Sequence, residues 1–138
     1  MNSETAFLIG VGFLFVTSGL SRFLGERNFK ILSTEQKVKL VDQFSLHRSL
    51  GTYIPIGIMA AVIMAGRLRP ELFRWLFPVG ASAVLIFALV LQLSIFRRLR
   101  DLELPDVFVS KFRFHSIAVQ VGNIVAISLI AYGIMGMI

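Results

Sequence analysis

Charge is missing from four long runs of this chain, residues 5–21, 49–66, 75–96 and 114–138, and is crowded into the segments that join them. The runs hold 17, 18, 22 and 25 residues. A helix rising about 1.5 Å per residue needs roughly 20 mostly apolar residues to cross a bilayer. The pattern predicts an all-α fold: a polytopic membrane protein, a four-transmembrane-helix bundle in one domain over residues 1–138. Its spans are expected at 5–24, 49–66, 75–96 and 114–138. Residues 1–4 carry no Lys or Arg and no small-residue cleavage motif precedes Arg22, so the first run reads as a retained helix, not a signal peptide.

The joining segments have a pattern of their own. Ser33 followed by Gln36 has the spacing of a capping box, and Leu40, Phe44 and His47 recur at helical intervals among charged neighbours. These residues predict an amphipathic interfacial helix between spans one and two. Further on, Pro105 interrupts the chain and Asp106 restarts it, after which Phe108, Phe112 and His115 repeat the same spacing. Leu40-Val41-x-x-Phe44-x-x-His47 and Phe108-Val109-x-x-Phe112-x-x-His115 stand 68 residues apart, close to half of 138. Two duplicated helical pairs would produce that offset, and so would coincidence in a chain rich in Phe and Val. Within the spans, Gly57, Ala61 and Ala65 form one row of small residues and Ala118, Gly122 and Ala126 another. Helices two and four are therefore expected to approach closely through these rows. Pro55 and Pro78 are expected near helix starts, where a missing N–H costs little, although Pro55 could kink the second helix.

Composition agrees with lipid as the solvent, since 56% hydrophobic residues and a mean hydropathy of +0.78 are too apolar for a soluble domain of this size. The absence of cysteine excludes disulfides, thiol redox chemistry, c-type haem attachment and cysteine-held clusters. The net charge of +6 lies wholly outside the four runs, so it concerns topology and anionic lipid at the basic loops, not nucleic acid. Six Lys and Arg lie between the first and second uncharged runs, three between the second and third, and five between the third and fourth. The positive-inside rule then places the first and third connections in the cytoplasm and both termini on the other side, in the inner membrane if the cell is bacterial.

Polar side chains of the spans concentrate toward that basic end. Arg22, His47, Arg48, Gln92, His115, Gln120 and Asn123 are the candidate ligand-binding cluster; interhelical hydrogen bonding, at about 0.6 kcal/mol per contact, is the plainer account of the same residues. His47 and His115 begin spans that run in the same direction, which makes bis-imidazole haem b ligation geometrically conceivable. Interfacial bonding to water or headgroups, and proton handling, are the alternatives for these two rings. No Asp or Glu lies within any span, which removes the usual device of ion-coupled exporters, and no cluster suits a metal-dependent hydrolase. No catalytic residue and no metal site is assigned.

Two local resemblances bear on function. Gly12-Phe13-Leu14-Phe15-Val16-Thr17-Ser18-Gly19-Leu20-Ser21-Arg22-Phe23-Leu24 resembles the opening helix of the DoxX family, four-helix membrane proteins of about this length. That resemblance implies a membrane component associated with quinone-linked or other oxidoreductase complexes. The chain departs from the family in lacking a Glu in its second span. His47-Arg48-x-x-Gly51-x-x-Ile54-x-x-Gly57 is similar to a helix start in the cytochrome b anchor subunits of succinate dehydrogenase, beside the quinone site. The later histidine of that pattern has no counterpart on the third span here. The leading expectation is an accessory or anchor subunit of a membrane complex, with partner subunits and a quinone as ligand. A small homo-oligomeric transporter or channel, and a lipid- or sterol-handling protein, are the other two readings.

Overall fold

The computed structural model describes residues 1–138, and every regular element in it is helical. Helix α1 spans Ser3–Phe29, α2 Thr34–Leu68, α3 Pro70–Leu99 and α4 Asp106–Met137, with a single 3-10 turn, η1, at Arg100–Leu102. All four long helices are long and apolar enough to cross a membrane, and the chain is a multi-pass, all-α four-helix bundle. They run well past the apolar spans. With 27, 35, 30 and 32 residues, they measure about 40 to 52 Å at 1.5 Å per residue, against a hydrocarbon core of about 30 Å.

The overrun lies mostly at the basic end, and it changes two expectations. The amphipathic stretch after the Ser33 capping box is present, yet it forms the first turns of a continuous α2 instead of a separate interfacial helix. Ser33 Oγ accepts from Gln36 N at 3.3 Å and Gln36 Oε1 accepts from Ser33 N at 3.0 Å, so helix formation starts there and nothing downstream stops it. The prolines move inward for the same reason: Pro55 and Pro78 lie inside their helices, while Pro70 takes the first turn of α3. Each interior proline leaves one carbonyl of the preceding turn without its helical donor, a cost that membrane helices commonly tolerate.

Between α2 and α3 only Arg69 intervenes, extended at φ −139° and ψ 88° as a residue before proline prefers, and Gly66 lies buried under Phe73. The chain between α3 and α4 turns through Glu103, in the left-handed region at φ 50°, before Pro105 and Asp106 start α4 as the sequence predicts.

Pairing is uneven. Helix α1 packs along α4 and α2 along α3, antiparallel in both cases, and the two pairs meet chiefly through α3 and α4. The first helix of each half thus packs on the second helix of the other, the order that a duplication about a two-fold axis would produce. The expected approach of helices two and four through their small-residue rows does not occur. Gly122 and Ala126 pack on α1 instead, and Gly57 faces outward with nothing nearby. The α1–α4 seam is lined by small groups on both sides: Ala6 and Ala126 are fully buried, Gly10 faces Ile130, Gly122 faces Thr17 and Gly133 faces Phe7. Thr17 satisfies its own hydroxyl by donating to the Phe13 carbonyl at 2.8 Å.

Large buried side chains lie elsewhere. Leu32, Leu40, Leu99, Leu104 and Phe108 form one cluster at the basic end, with Phe29, Phe44, Phe96 and Phe112 packed around it. Lipid tails are as apolar as Leu, so within the bilayer nothing drives a large side chain inward and close backbone approach decides the seam. At the end of the spans water returns, and burying Leu and Phe again lowers the free energy. This basic-end cluster ties the two pairs together.

Candidate ligand-binding site

The expected cluster of seven residues lies at one end of the bundle, and the structure divides it among several places. Arg22 turns outward and pairs with Glu26 at 3.8 Å, both side chains largely exposed. His47 is buried in the α2–α3 seam, its Nε2 and the Ser94 hydroxyl 3.0 Å apart and its ring edge-on to Phe44 at 5.5 Å. Arg48, the next residue and itself exposed, borders an open-sided cavity of about 240 Å³ together with Phe29, Leu40, Val41, Phe44, Ile95 and Phe112. His115 edges a different opening, between α1 and α4, with Arg27, Asn28 and Lys111. Asn123 lines a third recess beside Ser18 and Ser21. The two histidines therefore sit in different seams, and His47 spends the nitrogen opposite its buried Nδ1 on Ser94. A haem axis would need both rings to face one space.

Gln92 and Gln120 share a feature that the sequence does not reveal. Their amide nitrogens are buried and make no hydrogen bond within the protein, as are His47 Nδ1, His115 Nδ1 and Arg113 Nε. A buried polar group left unpaired costs about 1–3 kcal/mol, and these five are spread over the basic halves of α2, α3 and α4. Arg113 was not among the candidates. Its guanidinium carbon lies 6.0 Å from the Phe96 ring centroid, in range for a cation–π contact, and Phe96 in turn meets Phe112 edge-on at 6.5 Å.

The cavity beside Arg48 is the most apolar of these places. All four helices build it: the last turn of α1 supplies Phe29, the amphipathic start of α2 supplies Leu40, Val41, Phe44 and Arg48, and the basic ends of α3 and α4 supply Ile95 and Phe112. Leu40, Val41, Phe44 and Arg48 fall on one face because they recur at three- and four-residue intervals. Leu40 and Phe44 of the register that suggests an amphipathic helix line the cavity, while its third member, His47, meets Ser94 instead. Its walls are aromatic and aliphatic, and its only charge is a guanidinium with five donors in a planar fork. It suits a flat or chain-like apolar body bearing one acceptor oxygen. At 240 Å³ it admits a ring or part of a chain, with the remainder outside.

Phe29, Ile95 and Phe112 escape the sequence reading because an aromatic or aliphatic side chain in a membrane chain carries no sequence signal that separates a cavity wall from a lipid-facing position. Gly12 and Gly19 of α1 have open space around them, while Thr17 packs on Gly122. No family model, curated protein or solved structure matches the chain.

Proposed function

We propose that this protein is an accessory or anchor subunit of a membrane complex and that it holds a quinone-like amphiphile in the cavity beside Arg48. The observation that carries the reading is the cavity itself: six apolar walls, three of them phenyl rings, and one guanidinium, at the level where the spans end. A quinone ring would lie among Phe29, Phe44 and Phe112 with a carbonyl oxygen accepting from Arg48, and its isoprenoid tail would leave toward the lipid. The DoxX-like first helix supports the association with redox complexes. Gly57 and Ala61, exposed on α2 with nothing opposite Gly57, support a close helix contact with another chain. The basic end lies in the cytoplasm on this reading, with both termini outside.

Purified in native lipid, the protein is expected to yield a quinone on solvent extraction, and Arg48→Gln to weaken quinone binding roughly tenfold or more, the worth of a hydrogen bond to a charged group. Crosslinking in native membrane is expected to give a heterologous band. A ladder of self-multiples would favour the homo-oligomeric transporter, for which the exposed Gly57 row would be the subunit contact. A sample with no quinone and no partner would sink the proposal.

A further inference from the structure

The α1–α4 seam opens at the basic end into a groove of about 500 Å³ that shares no residue with the cavity beside Arg48. Its polar side is built by Arg27 and Asn28 from the last turn of α1 and by Lys111 and His115 from α4. No Asp or Glu lines it. The nearest carboxylate in sequence, Glu26, is engaged with Arg22. Arg27 alone could be explained as a cation completing the C-terminal end of α1. That role accounts for neither Lys111 nor the position of His115.

Depth distinguishes this groove from a diffuse basic surface. Its apolar residues, Leu24 and Phe114, are the last and first residues of the spans 5–24 and 114–138. Arg27 stands three residues beyond Leu24, and Lys111 three before Phe114, so both cations lie about one helical turn past the apolar boundary. Phe114 is 78% exposed, whereas Asn28 is 91% buried in the seam, the complement of its 9% exposure. Charge and apolar surface are thus stacked in the order of a phospholipid, with phosphate outside and acyl chains within.

The two histidines sharpen the contrast. His47 and His115 occupy corresponding positions 68 residues apart, each in the seam of its own antiparallel pair, and each buries Nδ1 without a partner. In the α2–α3 seam Ser94 meets the other nitrogen. In the α1–α4 seam no side chain does so, and His115 Nε2 is the ring nitrogen left to the groove.

We propose that this groove is a binding site for the headgroup of an anionic phospholipid. The phosphate lies between Arg27 and Lys111, Asn28 and His115 donate to its oxygens, and one acyl chain runs over Leu24 and Phe114. The site is independent of the quinone reading, because neither its residues nor its ligand involve Arg48.

Native mass spectrometry of the full chain, released from detergent after exchange with defined lipids, tests this. With equal phosphatidylglycerol and phosphatidylcholine of matched chains, one retained phosphatidylglycerol is expected. Replacing both cations, R27Q with K111Q, is expected to lower its affinity about 30-fold, at about 1 kcal/mol per basic residue. The double variant R97Q with R98Q removes as much charge from the same end outside the groove and is expected to retain the lipid. Equal loss in both double variants, or no preference for phosphatidylglycerol in the unaltered chain, would overturn the proposal. So would displacement of the lipid by millimolar inorganic phosphate, which would identify a free anion as the ligand. The lipid preference of the unaltered protein reads out even if a variant fails to fold.

Discussion

A glycine matters in this protein according to which way it faces. A Cβ added at Gly10 would stand 2.9 Å from the Ala126 carbonyl oxygen and 2.9 Å from the Ile130 nitrogen, and backbone atoms of a packed helix do not move aside cheaply. At Gly57 the same Cβ would meet nothing within 4 Å. Gly10→Val is therefore expected to destabilise the fold by about 1–3 kcal/mol in a detergent-denaturant titration, the range for overpacking a tight contact. Gly57→Val is expected to change that stability little, while it disturbs any contact with a partner chain. Equal effects of the two would mean that the α1–α4 seam is not closely packed. His47 shows the same dependence on direction: the sequence marks it as polar at a span edge, and its worth comes from Ser94, 47 positions away.

Among the elements, α2 departs most from its sequence reading. The charged stretch 34–48 and the apolar stretch 49–66 look like two objects in composition, yet no turn chemistry separates them and 35 residues fold as one helix. The amphipathic start needs its own nucleation because it lies beyond the lipid, where water competes for backbone hydrogen bonds. The reciprocal bonds of Ser33 and Gln36 supply it. Ser33→Ala is expected to cost about 1 kcal/mol, and amide exchange should quicken over residues 34–40 while residues 55–66 stay protected. Uniformly quickened exchange along α2 would refute this division. The start of α4 shows the corresponding case in which sequence and structure agree, since Pro105 and Asp106 do mark its beginning.

At the scale of the molecule, the buried cluster at the basic end joins residues of both antiparallel pairs. Phe108 belongs to that joint through its cluster with Leu40 and Leu99 of the other pair; it is fully buried, edge-on to Phe29 at 6.4 Å and tilted against Phe112 at 5.8 Å. Phe108→Ala is expected to cost about 3–5 kcal/mol, the usual range for a core Phe truncation. Spin labels on α1 and α2 at the end opposite the joint should then show a broadened distance distribution, while labels across α1 and α4 keep theirs. Because the chain has no cysteine, each label position can be introduced singly without removing a native thiol. An unchanged distribution between the pairs would mean that the joint lies elsewhere. The cavity beside Arg48 and the α1–α4 groove both flank this joint, so its loosening should weaken ligands at both.

Length and lack of charge determined that this chain forms four membrane helices, since an uncharged helix of about 20 residues has one low-energy place to be whatever its neighbours. Capping chemistry and Pro105 likewise set local starts without tertiary help. Which helix meets which was left open, because a Leu facing a neighbouring helix and a Leu facing an acyl chain differ little in free energy. Small residues that permit close approach recur on open faces as well as packed ones: Gly12 and Gly57 look outward while Gly10 and Gly133 are covered. Only the assembled pairs distinguished them, and with that pairing came the separation of His47 from His115 and the two recesses that neither helix shows by itself.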